Sequence, residues 1–334
     1  MDDSPLVTVI IPTYKRLDLL KRAVASVRAQ TCSRWELYIS DDEEPPGETW
    51  GWLQTLPADD PRIRVVRNPG PHGQVGNVNH LLGLGTAPWI KTLYDDDRLL
   101  PSCLATMLAA ADAVPGASAV FCDAHHYLGG RLVGGHARSV RDFEYVPQRY
   151  VALAMYLQES VAGGTPTMCM ARREAVEKGA VFHAPPGISA AVDSLWELTL
   201  SRYGDRVVVN LPLVEEHQGE HSTLTSSLNQ RDLDAELAIL RGIQFREIPS
   251  ELRPPALATM LQTLRLIRAT NRVKRGMLFE AIGLAAGCWR PASWWHYARW
   301  LARRSSGTRG RVVPRVAIDL PAVGPGGGHS RSDF

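Results

Sequence analysis

Leu6-Val7-Thr8-Val9-Ile10-Ile11, closed at once by Pro12-Thr13-Tyr14, is the stretch on which the reading of the fold turns. Six apolar or β-branched residues in a row, with no polar alternation, describe a strand covered on both faces, as in a parallel sheet. From Arg16 the apolar residues Leu17, Leu20, Val24 and Val27 recur with helical spacing, so a strand, a turn and a helix open the chain. Trp35–Ser40 reads as a second strand ending in Asp41 and Asp42, and Arg62–Arg67 as a third. Gln74–Leu84 reads as a helix interrupted by glycine, and Trp89–Leu93 as a fourth strand. The order is βαβαβ. Ligands of doubly wound sheets meet the carboxyl ends of the strands, and Tyr14, Asp42 and Asp97 all follow such ends.

The fourth strand runs into Tyr94-Asp95-Asp96-Asp97-Arg98. Three adjacent carboxylates repel one another unless a cation, protonation or full exposure relieves them. In an extended segment side chains at i and i+2 leave the same face, which would aim Asp95 and Asp97 together and Asp96 away. Hard oxygen ligands of this kind suit Mg²⁺ or Mn²⁺ bound jointly with a phosphate. The plainer alternative makes Asp97 the cap of a helix starting near Leu99 and Pro101.

Taken in order, Val7–Arg16, Ser26-Val27, Gln30-Thr31, Trp35–Asp42, Asn68-Pro69-Gly70, Asn79, Asp95-Asp96-Asp97 and Pro101 resemble the inverting nucleotide-sugar glycosyltransferases of family 2. The resemblance covers roughly residues 5 to 225. It implies a GT-A fold, a doubly wound mixed α/β sheet in which a Rossmann-like nucleotide half is fused to an acceptor half. It further implies that Pro12 and Tyr14 line the base and ribose and that Asp42 accepts from the uracil ring. Asp96 then helps to hold the sugar or its ribose, and Asp97 is the principal ligand of a Mn²⁺ or Mg²⁺ ion on the donor diphosphate. The chain departs from the family at Glu43-Glu44-Pro45-Pro46-Gly47, where a small polar turn is usual. Added negative charge there is tolerable only if those glutamates face outward.

In the second half, Thr167–Ala175 reads as a strand running into a helix, and Ala190–Leu198 opens another helix. By the resemblance Asp193 is the general base of the acceptor domain. A helix N-terminus favours the charged carboxylate, so burial would have to restore its basicity. Glu197 is the substitute candidate, and an N-cap role for Asp193 is the plain reading. His221, or in another register His217, would complete the metal shell; a zinc site at this pair lacks a third ligand cluster. Asp123 with His125-His126 ends the last strand of the nucleotide half, and Gly129–Gly135 reads as a hairpin.

At 334 residues, 45% hydrophobic and 22% charged, the chain has material for one large α/β unit and an accessory region. A net charge of +2 argues against nucleic acid as the main partner. The expected donor is a nucleoside-diphosphate sugar, UDP- or dTDP-linked, and the acceptor a glycan, a lipid-linked saccharide or a small molecule. A nucleotidyltransferase-like enzyme and a silent nucleotide-sugar-binding scaffold are the alternatives. The former would want a Gly-rich phosphate loop after the first strand, which Pro12–Arg16 lacks. Five scattered cysteines, Cys32, Cys103, Cys122, Cys169 and Cys288, read as reduced core residues of a cytoplasmic protein. No signal peptide is read ahead of the first strand, nor any apolar span of transmembrane length. The expected organisation is a catalytic domain over 1–225 (about 5–125 for the nucleotide sugar, about 126–225 for the acceptor), a helical region over 226–304 and a disordered tail over 305–334. Within 289–304, four Trp among Arg residues suit either packing on the catalytic domain or peripheral contact with the inner face of the membrane.

Overall fold

The computed structural model describes residues 4–134, 142–157, 164–218, 230–274, 278–302 and 315–318. The nucleotide half forms as read: β1 (Val7–Thr13), α1 (Leu17–Arg28), β2 (Trp35–Asp41), α2 (Glu48–Leu53), α3 (Leu56–Asp59), β3 (Ile63–Arg67), α4 (Gln74–Leu82) and β4 (Trp89–Thr92). α2 and α3 are separate helices, and Pro57, which has no N–H to donate, serves in the first turn of α3. The second half follows with β5 (Arg98–Leu99), α5 (Cys103–Asp112), β6 (Ala117–Leu128), β7 (Arg131–Gly134), β8 (Phe143–Val146), α6 (Gln148–Tyr156), β9 (Cys169–Arg172), α7 (Arg173–Glu177), α8 (Val192–Leu200) and β10 (Asp205–Gln218). Among the described residues four α-helices come next, α9 (Gln230–Glu247), α10 (Arg253–Lys274), α11 (Leu278–Ala286) and α12 (Pro291–Ala302), and then β11 (Val316–Ala317).

Among the described residues the strands make one mixed sheet in the order β11-β8-β10-β6-β9-β4-β1-β2-β3. β3, β2, β1 and β4 run parallel; β9 joins the halves by lying antiparallel to both β4 and β6. Strand order reverses between β1 and β4, and there a crevice opens at the carboxyl ends. Alternate residues of β1 explain its unbroken apolar run. Val7, Val9 and Ile11 join the layer that holds α1 and α5, whereas Ile10 joins the layer that holds α4, α6 and α8. Each fully buried Ile or Val contributes about 1.5–3 kcal/mol.

The glycine inside α4 has a steric reason. A Cβ on Gly76 would stand 1.8 Å from the Pro71 carbonyl oxygen, so only glycine lets the Asn68–Gly73 loop cross the start of the helix.

The C-terminal helices are not detached from this core. Leu240, Ile248 and Ala256 are buried in the α4/α8 layer, Phe245 packs on Tyr156, and Arg202 pairs with Glu247. The expectation of a disordered 305–334 is corrected at residues 315–318. Val316 and Ala317 pair antiparallel with Tyr145 and Glu144, and Arg315 pairs with the Glu144 carboxylate, which is fully buried. A short apolar run beside one arginine is too little pattern for the sequence to announce, yet it suffices to cap a sheet edge that holds a buried acid.

Candidate functional site

The site is assembled at the β1/β4 switch. Thr13, last in β1, donates its hydroxyl to Asp95 Oδ2 at 2.8 Å. Lys15 takes a left-handed backbone (φ 56°), which costs a non-glycine residue about 1–2 kcal/mol. Just past this turn, Arg16 places one guanidinium nitrogen 3.1 Å from Asp95 Oδ1 and 3.0 Å from Asp96 Oδ2. Burial pushes the Asp95 carboxyl up to about 6, against the pull of Arg16. The extended geometry expected for Asp95-Asp96-Asp97 does not form. The chain leaves β4 in a turn closed by the Asp97 N–H on the Tyr94 carbonyl at 3.1 Å, so the i, i+2 rule for a shared metal face does not apply. Asp95 is held by Thr13 and Arg16.

Asp97 is held from the other half of the molecule. Its Oδ2 accepts from the Thr167 hydroxyl at 2.6 Å and its Oδ1 from the His217 backbone N–H at 3.0 Å. It caps no helix; α5 begins only at Cys103, and Arg98–Leu99 instead pairs with β10. Burial, then the neighbouring Asp96 and Glu216 charges, raise the Asp97 carboxyl well above its usual range. Thr167 also accepts the Tyr94 N–H at 3.1 Å. Its turn is pinned by the fully buried Lys91 ammonium, which donates to the Thr167 and Cys169 carbonyls. Glu216 accepts from Thr165 and pairs with His126 Nδ1 at 2.6 Å.

Asp193 is the second residue of α8; the cap position is Ala191, which removes the N-cap reading. Asp193 Oδ1 lies 3.1 Å from Gln74 Nε2 at the start of α4 and 3.4 Å from the Tyr94 hydroxyl. Burial, reinforced by the Glu197 charge one turn on, pushes its carboxyl up to about 7, in opposition to the hydrogen bonds from Tyr94 and Gln74. Glu197 is itself committed. Its carboxylate pairs with buried Arg206 at 3.3 Å and accepts the Gly164 N–H at 3.1 Å. The segment leading into α8 is gripped from α9. Glu236 accepts from the Ser189 hydroxyl and from the N–H groups of Ala190 (2.9 Å) and Ala191 (3.2 Å).

Asp42 is buried and bonded within the chain: Asn68 Nδ2 at 2.6 Å, His72 Nδ1 at 2.9 Å and the Gly73 N–H at 2.6 Å. A carboxylate has about four lone-pair sites, so one remains for an outside donor. Pro12 is buried in β1 opposite Ser40, and Tyr14 stands half exposed just beyond. Glu44 is turned out to Arg67, and Glu43 lies 3.8 Å from Lys15, so both added negative charges are countered. The hairpin read over Gly129–Gly135 forms between β6 and β7. His221 lies outside the described residues. His217 stacks its ring on Tyr127 and sets its Nε2 3.2 Å from Arg98, offering Asp97 a backbone donor rather than its imidazole.

The structure thus brings Asp95, Asp96, Asp97 and Asp193 to one crevice and adds Arg16, Gln74, Lys91, Thr167 and Glu216, to which the sequence reading gave no role. Their only cue was place, since Arg16 follows β1, Gln74 opens α4 and Thr167 precedes β9.

The same fold recurs in solved structures. Residues of the chain align over 94% of its length, and 99% of the other chain, with S. aureus TarS 1-349 in complex with UDP-GlcNAc (TM-score 0.56, 13% identity). A mannosyltransferase from Pyrobaculum calidifontis, in complex with GDP-Man and Mn²⁺, aligns over 90% of this chain and 80% of its own (TM-score 0.50, 19% identity). At these identities the likeness is one of fold, and the fold is GT-A. By sequence the chain is 34% identical over 109 residues to a Campylobacter jejuni protein named GalNAc(5)-diNAcBac-PP-undecaprenol beta-1,3-glucosyltransferase. That segment is 32% of this chain and 35% of the relative. It is 33% identical over 111 residues to the putative colanic acid biosynthesis glycosyl transferase WcaA of Escherichia coli, covering 33% of this chain and 39% of the relative. The chain therefore spans little more than a third of the length of these relatives. The sequence model described as Glycosyl transferase family 2 matches residues 8–180, more than half of the chain and every strand of the nucleotide half, and so the chain belongs to glycosyl transferase family 2.

Proposed function

We propose that the protein is an inverting glycosyltransferase that moves a sugar from a nucleoside-diphosphate sugar, UDP- or dTDP-linked, to a hydroxyl or amine of an acceptor, with Asp193 as the general base. The observation that carries this reading is the Asp193 carboxylate, raised to about 7 at the seam between the two halves and steered by Gln74 and Tyr94. A base with a pKa near the working pH is ionised enough to accept a proton and basic enough to keep it. As the acceptor oxygen or nitrogen forms its bond to the anomeric carbon, its proton passes to Asp193. The bond from that carbon to the diphosphate oxygen breaks on the opposite face, and the electron pair leaves with the nucleoside diphosphate.

The donor side supports the same reading. Asp97 is a hard oxygen ligand in a pocket of excess negative charge from Asp96 and Glu216, which suits a divalent cation. Among the described residues no group of three or more His, Cys, Asp or Glu stands ready to hold a metal alone. That fits Mn²⁺ or Mg²⁺, which bind through one or two carboxylates and complete their shell from substrate phosphates and water. Held by Asp97, such an ion supplies Lewis-acid neutralisation of the leaving diphosphate. Arg16 fixes Asp95 and Asp96 beside the sugar and ribose, Asp42 keeps one acceptor site for the base N–H, and Tyr14 and Pro12 form the wall it lies on. The acceptor is a glycan or a lipid-linked saccharide, the latter being the acceptor type in the name of the Campylobacter jejuni relative. Five cysteines without a disulfide, four of them buried, fit a reducing, cytoplasmic setting.

The test is incubation with a panel of nucleotide sugars and Mn²⁺. Slow release of nucleoside diphosphate is expected. Release of pyrophosphate would make the protein a nucleotidyltransferase, and no turnover of any donor would reduce it to a binding scaffold. With an acceptor in hand, the anomeric proton coupling of the product reads inversion directly.

A further inference from the structure

The helix α11 is inside out. Its sequence, Leu278-Phe279-Glu280-Ala281-Ile282-Gly283-Leu284-Ala285-Ala286, buries the small residue Ala281. Three of its four large apolar ones face solvent: Phe279 is 90% exposed, and Leu278 and Ile282 are each 56% exposed, while Leu284 is half-buried. Positions 278, 279 and 282 share one helix face. Just beyond α11, Trp289 is 74% exposed, and Trp294 and Trp295 on α12 are half exposed. Soluble surfaces rarely display contiguous large apolar side chains without using them.

Charge decides what covers this face. Residues 265–304 contain nine Lys or Arg and one acidic residue, Glu280, a net of +8; the whole chain carries +2, so the remainder carries −6. A second copy of the chain would set +8 against +8, which disfavours self-association. An anionic lipid surface supplies the opposite charge, and exposed Trp and Phe are side chains suited to its headgroup layer. Among the described residues no helix is long and apolar enough to cross a membrane, so contact of this kind lies in the plane of the interface.

We propose that the outward face of α11, with Trp289 and the exposed flank of α12, docks the protein on an anionic bilayer. The inference rests on exposure and charge, and stands or falls separately from the transfer reaction. It moves the contact suggested by the tryptophans of 289–304 one helix earlier, onto Phe279 and Ile282.

The experiment is co-sedimentation of the full chain with vesicles of phosphatidylcholine alone and of phosphatidylcholine mixed with phosphatidylglycerol. Expected are partitioning to the anionic vesicles, a decline as salt is raised, and a loss of about ten- to hundred-fold in Phe279→Glu, the range for withdrawing one large apolar side chain from burial. Ile282→Glu is the companion variant. Both positions are solvent-facing, so melting temperature and nucleoside-diphosphate release from a soluble donor stay at wild-type levels. Failure of the wild type to bind anionic vesicles, or equal binding by wild type and both variants, overturns the proposal. So does a wild-type dimer in light scattering that Phe279→Glu converts to monomer, which would assign the face to a second copy.

Discussion

At the scale of single residues, the proposed roles of Asp193 as base and Asp97 as metal ligand separate catalysis from donor binding. Asp193→Asn keeps the shape of the side chain but cannot take the acceptor proton, so transfer should slow by roughly a hundred- to ten-thousand-fold with donor affinity unchanged. Steady-state kinetics beside a donor titration check it; full activity would remove the base assignment. The wild type should lose kcat/KM about ten-fold per pH unit below about 7, the value to which burial pushes this carboxyl, because the base works ionised. The sign for stability is the reverse. A carboxyl raised in the folded state stabilises the fold in its protonated form, fully below its unfolded value, and loses that contribution as pH rises through about 7. Asp193→Asn should therefore melt higher than the wild type at pH 8 and alike at pH 4, a comparison that thermal denaturation makes without substrate. Asp97→Ala should abolish the effect of Mn²⁺ on binding of a nucleoside diphosphate, because the methyl group leaves the ion without its protein ligand. Calorimetric titration with and without Mn²⁺ reads this, and an unchanged metal dependence would move the ligand elsewhere.

At the scale of elements, α9 acts on α8 through Glu236. Glu236→Ala leaves one hydroxyl and two backbone N–H groups without their acceptor, a loss of about 1–3 kcal/mol where such groups stay buried. Because the segment they belong to carries Asp193, kcat should fall on the order of ten-fold while donor affinity holds, and Glu236→Gln, which keeps an acceptor oxygen, should recover much of it. A shift in donor affinity equal to the shift in kcat would mean a general loosening instead. The elements themselves were legible to very different degrees. β1 announced itself because burial on both faces writes an unbroken apolar run, and α4 because its period survives one glycine. β5 is two residues long and leaves no pattern. The aim of Asp95 was misread because a turn replaced the extended chain, and the grip of Glu236 on residues 189–191 joins segments too far apart in sequence for any local period to record. Lys91 shows the same limit, since an isolated lysine in an apolar strand does not reveal which carbonyls it will meet.

At the scale of the whole molecule, residues 316 and 317, far along the chain from the catalytic strands, are part of the sheet. Removing residues 305–334 deletes β11 and takes the Arg315 guanidinium from the fully buried Glu144 carboxylate. Withdrawal of one partner from a buried ion pair costs about 3–5 kcal/mol, so the truncated protein should melt several degrees lower, and Arg315→Met should reproduce much of the drop. Thermal denaturation decides it; an unchanged melting temperature would show that residues 315–318 contribute nothing to the fold.

The two halves of the crevice share one sheet through β4 and β9, and side chains tie them again at Asp193, held by Gln74 and Tyr94, and at Asp97, held by Thr167 and His217. The seam behaves like a plug and socket. An acceptor half from another chain could be exchanged into this one, with its specificity travelling along, if it preserved a carboxylate for Gln74 to meet and a hydroxyl and an amide for Asp97. On the proposed assignment, a hybrid with a different acceptor preference would keep β1 to β4 and would also have to keep a strand that pairs with β4 as β9 does.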